Sequence, residues 1–86
     1  MKYSVNWLPS AEADLAAIWT NAPNRAAVTK AAQQIDLQLL TNPKDAGESR
    51  WENDRIVFEA PLIALIEVLE TQRQVNVLHV RHMRMR

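Results

Sequence analysis

The run Leu62-Ile-Ala-Leu-Ile-Glu-Val-Leu69 constrains this chain more than any other stretch. It is apolar at nearly every position, it is as short as a strand, and a proline precedes it. A strand that is apolar on both sides needs cover on both, so this one is expected at the centre of a sheet. Its neighbours would be Arg55-Ile-Val-Phe-Glu-Ala60 before it and Val75-Asn-Val-Leu-His-Val80 after it. Pro61 and the polar span from Glu70 to Gln74 divide the three, which therefore read as consecutive strands.

What precedes this sheet is read as its cover. Tyr3, Val5 and Trp7 alternate with Lys2, Ser4 and Asn6, the period of a strand with one buried face. Pro9 and Ser10 stop that strand and suit a helix start, with Ser10 available as a cap. Ala11, Leu15, Ile18, Trp19 and Ala22 then recur as one helical face. Asn21-Ala-Pro-Asn24 breaks this helix, and Asn24 is placed to cap a second one. Val28, Ala32, Ile35 and Leu39, widened by Ala31 and Leu40, form its apolar stripe until Asn42-Pro43 ends it. Lys44 to Asn53 is polar and holds the single glycine, Gly47, so it reads as a loop or an irregular edge strand.

The fold class expected is α+β: two antiparallel helices packed on a small, mostly antiparallel sheet in the order β-α-α-β-β-β. At 86 residues, 48% hydrophobic and 23% charged, one domain spanning 1–86 is the natural reading. With no cysteine, neither a disulfide framework nor a thiolate metal site is available. With only two histidines a metal site would need carboxylates from elsewhere, so no metal is expected, and no cofactor either. No apolar run approaches the length needed to span a bilayer, and Met1-Lys-Tyr-Ser-Val5 lacks the apolar stretch of a signal peptide, so a cytoplasmic protein without membrane contact is expected.

In order and spacing the sequence resembles the RelE/ParE superfamily of toxins from type II toxin–antitoxin modules, often labelled plasmid stabilisation proteins. The resemblance rests on Tyr3-Ser-Val-Asn-Trp7, Ala13-Asp-Leu-Ala-Ala-Ile-Trp19, Ile35 through Asn42-Pro43, Pro61-Leu62 with Ile66-Glu-Val68, and Val77-Leu-His-Val-Arg-His-Met-Arg84. It spans nearly the whole chain and implies a separately encoded antitoxin as partner. Two activities follow from it. RelE-like members cleave messenger RNA in the ribosome with basic side chains, and sometimes a tyrosine, on the sheet; ParE-like members act on DNA gyrase. Here Ile63 stands where the ribonucleases carry an arginine, Ile66 where they carry an aromatic residue, and no tyrosine follows Tyr3. The resemblance therefore leans to a ParE-like toxin that is not an enzyme. A metal-independent endoribonuclease and a decayed, non-catalytic binding member are the alternatives.

The chemistry-bearing candidates are basic. After Glu70 there is no acidic residue, while Arg73, Arg81, Arg84 and Arg86 accompany His79 and His82. Strand alternation puts His82 and Arg84 on one side and Arg81 on the other. These three, with Arg50 and Arg55, are the expected target- or antitoxin-contacting residues; a solvated basic tail, and local pairing of Arg50 and Arg55 with Glu52, Asp54 or Glu59, are the plainer readings. His79 reads as a sheet histidine on the side shared by Val75 and Val77. Trp7 and Trp19 read as core, with Trp51 the exposed tryptophan.

Overall fold

The computed structural model describes residues 2–83. Seven main elements follow one another: β1 (Ser4–Trp7), α1 (Pro9–Asn21), α2 (Arg25–Thr41), β2 (Glu48–Trp51), β3 (Asp54–Glu59), β4 (Leu62–Leu69) and β5 (Gln74–His82). The sheet runs in the order β1-β5-β4-β3-β2. Each neighbouring pair is antiparallel except β1 with β5, which is parallel. A parallel pair needs a long crossover, and the two helices together with the β2–β4 meander supply it. The expected α+β architecture is thus present, with β4 at the centre.

The helices form where the apolar stripes place them. Asn24 caps α2 by accepting a hydrogen bond from the Ala27 N–H at 3.1 Å. From α2, Val28, Ala31, Ile35 and Leu39 are fully or almost fully buried, and they pack into a core with Val57 of β3, alternate residues of β4, and Val75, Val77 and Val80 of β5. Lys44 to Asn53 resolves into a short 3₁₀ turn over Pro43–Asp45 and then β2, an edge strand whose four residues are all exposed. Gly47 is required between them. Its φ is +56°, and a Cβ there would fall 1.8 Å from the Ile56 carbonyl oxygen.

Three expectations are corrected. Along β4, Leu62, Ala64, Ile66 and Val68 are buried beneath the helices, whereas Ile63, Leu65, Glu67 and Leu69 are only half-covered. Both helices lie on one side, so the second apolar face stays partly open. Ser10 does not cap α1, whose N-cap position is Leu8 with no side-chain bond; its hydroxyl is drawn to β5 instead. Trp19, expected in the core, is 43% exposed and lines an open groove between α1 and α2.

Candidate functional site

The site grows from a mismatch in strand length. β1 pairs only with the first half of β5, from Ser4 opposite Gln74 to Trp7 opposite Val77. Beyond that point the outer edge of β5 would present bare backbone groups. The first two turns of α1 lie along it. The Leu8 N–H donates to the Val77 carbonyl at 3.0 Å. The Ser10 hydroxyl donates to the Leu78 carbonyl at 2.6 Å, and the Val80 N–H donates to Asp14 Oδ2 at 3.1 Å. Ser10 and Asp14 are four residues apart, hence on one helical face, and together they satisfy successive edge groups of the strand.

The same edge region carries a β-bulge. The β4–β5 register shifts between Leu65 and Ile66, which face His79 and Val77 respectively. Leu78 is the extra residue, and it reverses the alternation downstream. His79 therefore leaves the side of Val75 and Val77 and emerges, exposed, on the opposite face. This overturns its reading as a sheet histidine among valines. Its Nδ1 lies 3.0 Å from Asp14 Oδ2. An ionised carboxylate only accepts, so Nδ1 carries the proton and Nε2 is left available on the open face.

Asp14 is held ionised below the usual aspartate range. The Val80 N–H is the main cause, partial burial opposes it, and His79 and the positive charge of Arg81 reinforce it.

Across the open face, Leu65 pairs with His79 and with Ile56, and Ile63 pairs with Arg81 and with Phe58. These residues enclose a groove of about 670 Å³, with Ile56, Phe58, Ile63 and Leu65 as its floor and Arg50, His79 and Arg81 around it. A second groove of about 790 Å³ opens between the two helices and β1, lined by Trp7, Leu15, Trp19, Val28 and Ala32 among others. Trp7 Nε1 donates to Asp36 at 2.7 Å and Trp19 Nε1 to Thr29 at 3.2 Å, so both indoles are fixed at its border. The Arg25 guanidinium stacks over the Trp19 ring at 4.7 Å.

The basic residues expected from the sequence are thereby divided. Arg50 and Arg81 share the open groove. Arg55 does not reach it: the residue sits opposite Ile66, on the helix-bearing side, and its guanidinium donates to the Ala46 and Gly47 carbonyls at 2.7 and 3.3 Å. Neither Glu52, Asp54 nor Glu59 is its partner; the arginine ties down the turn that leads into β2. His82 pairs in register with the buried Leu62 and is exposed on the side away from Arg81. Arg84 lies outside the described residues. Asp14 and His79 are the members sequence reasoning missed. The available signal was Ser10 and Asp14 at helical spacing, which only the docking of α1 on β5 makes meaningful.

No protein-family model matches the chain, and no curated protein is similar to it in sequence. Its architecture does have matches among solved structures. A chain from the chromosomal ParDE TA system of P. aeruginosa superposes with a TM-score of 0.72 at 20% identity, covering 96% of this chain and 98% of the other. A chain from the RelBE2 toxin–antitoxin complex of Mycobacterium tuberculosis gives 0.75 at 16% identity, covering 95% and 99%. The fold is the RelE/ParE fold. In this chain the open sheet face is lined by Ile56, Phe58, Ile63 and Leu65 together with two arginines and a carboxylate-bound histidine. Among the described residues, no helix is long and apolar enough to cross a membrane.

Proposed function

We propose that the chain is the toxin of a type II toxin–antitoxin module, ParE-like in acting on DNA gyrase rather than on RNA, and neutralised by a cognate antitoxin. The end-to-end likeness to chains from a ParDE system and a RelBE2 complex supports the toxin part of this reading. The observation that carries the ParE-like part is Ile63. It stands in the groove floor, where the ribonucleases would place an arginine, among apolar Ile56, Phe58 and Leu65, and the positive charge of the groove comes instead from Arg50 and Arg81 around it. The two grooves flanking α1 suit a partner that lays apolar side chains on both the helices and the sheet.

A second reading, a metal-independent ribonuclease, is favoured by one feature: His79, oriented by Asp14 with Nε2 available beside Arg81. An imidazole so placed can act as a general acid or base. The test is induced expression in a bacterial host, following growth, transcript integrity and plasmid supercoiling. Growth arrest with intact transcripts and altered supercoiling is the expected result. Arrest with cleavage of translated messages moves the assignment to the ribonuclease. Normal growth with folded protein removes the toxin reading in favour of a non-catalytic binding member.

A further inference from the structure

The side chains on the open sheet face fall into three rows that cross the strands. In the middle row Ile56, Leu65 and His79 stand side by side. On one side of it lies the row of Phe58, Ile63 and Arg81; on the other, the row of Asp54, Glu67 and Asn76. The face is therefore basic at one end, apolar in the middle and acidic at the other, with the outer rows about 13 Å apart along the strands. Both ends lack a counter-charge. Asp54 and Glu67 are like charges directly opposite one another, an arrangement that destabilises a strand pair. Asn76 relieves it only in part, by donating Nδ2 to Glu67 Oε1 at 3.2 Å. Among the described residues neither Asp54, Glu67 nor Arg81 forms an ion pair, and Glu48 and Arg50 meet loosely at 3.7 Å.

We propose that a second copy of this chain covers the face. An occupant of a single sign is opposed at one end: a polyanion meets Asp54 and Glu67, and a polycation meets Arg81. The occupant that fits carries both signs, in reverse order, around an apolar centre. The face itself has that pattern. A two-fold axis crossing the strands along the Ile56–Leu65 row turns the second copy end for end, so that the facing sheets run antiparallel. Ile56 and Leu65 then lie against their own equivalents, and Arg81 of each copy reaches Glu67 of the other. An axis parallel to the strands would set acid on acid and base on base, so the charge pattern selects one arrangement. Two sheets packed face to face about 10 Å apart bury the aliphatic floor, including Phe58, which is 46% exposed in the single chain. The association follows from the chain's own surface and does not rest on the toxin reading. Its consequence is regulatory: Arg50 and Arg81 are open to other molecules in the monomer and hidden in the dimer.

Sedimentation velocity of the whole chain, from micromolar to near-millimolar concentration, tests this. A dimer that dissociates on dilution is expected. Arg81→Glu alone and Glu67→Arg alone should each weaken it about tenfold or more, because each sets like charges against one another twice across the axis. The double variant, Arg81→Glu with Glu67→Arg, should return the dissociation constant to within about threefold of the original, since the pairing is restored with its signs exchanged. Leu65→Lys, which brings two like charges together on the axis, should leave only monomer. Circular dichroism checks that each variant is folded. A chain that stays monomeric throughout, folded single variants that associate as before, or a double variant no tighter than the singles overturns the proposal. Labelled single-stranded RNA is titrated in parallel by fluorescence anisotropy; tight binding by a chain that remains monomeric gives the face to nucleic acid and also overturns it. Growth arrest is scored separately, so the toxin reading stands or falls without reference to the dimer.

Discussion

Asp14 does two things with one oxygen: it completes the exposed edge of β5 through the Val80 N–H and fixes the ring of His79. Its stabilising effect has a definite sign with pH. The folded state holds the carboxyl below its unfolded value of about 3.9, so the contribution is fully present above that value and is lost as pH falls through the folded one. Partial solvent exposure damps it. Asp14→Asn should therefore flatten the loss of stability on the acid side, read by urea unfolding between about pH 5 and 2. An unchanged acid slope would mean that the carboxylate is not coupled to folding. Gly47 is the residue with least freedom to change. Gly47→Ala forces a Cβ against the Ile56 carbonyl at positive φ and should lower stability by roughly 2–4 kcal/mol, seen as a drop in the thermal midpoint.

Among the elements, α2 is the main cover of the sheet and α1 the seal of its edge. Ile35 is completely buried at the middle of the α2 stripe. Ile35→Ala should cost about 2–4 kcal/mol by the cavity it leaves, a large share of the stability of a domain this size, and thermal unfolding measures it directly. Trp19 lies on the corresponding apolar stripe of α1, in the groove between the helices. Its replacement by leucine should change stability by less than Ile35→Ala does, because part of the ring is already in water. An equal loss in the two would contradict the exposure of the indole. Helical periodicity located both side chains without separating them. It reports which face is apolar, and the docking of the helices decides how much of that face is covered.

At the scale of the whole molecule, the division of the basic residues between two faces makes a prediction about activity. Arg50 and Arg81 face the groove, while His82 is exposed on the other side. Arg50→Ala with Arg81→Ala should relieve growth arrest, measured as colony-forming units after induction, and His82→Ala should leave it in place. The reverse pattern would move the functional surface to the helix-bearing side. Strand alternation had already separated Arg81 from His82. It could not place His79, because one bulge residue reverses alternation and nothing local in Val77-Leu78-His79 marks a bulge.

The sequence by itself determined the elements and their order: the central strand from the run Leu62 to Leu69, the helices from their apolar stripes, the cap from Asn24. These follow from interactions within a few residues, which periodicity and turn chemistry record. The tertiary structure alone decided which apolar face stays open, which arginine serves a turn and which faces the groove, and that Asp14 meets His79 across 65 positions of chain. Those outcomes depend on how strand lengths match and where helices dock. A short β1 leaves half of β5 unpaired, α1 fills the gap, and the face of the sheet away from the helices stays open.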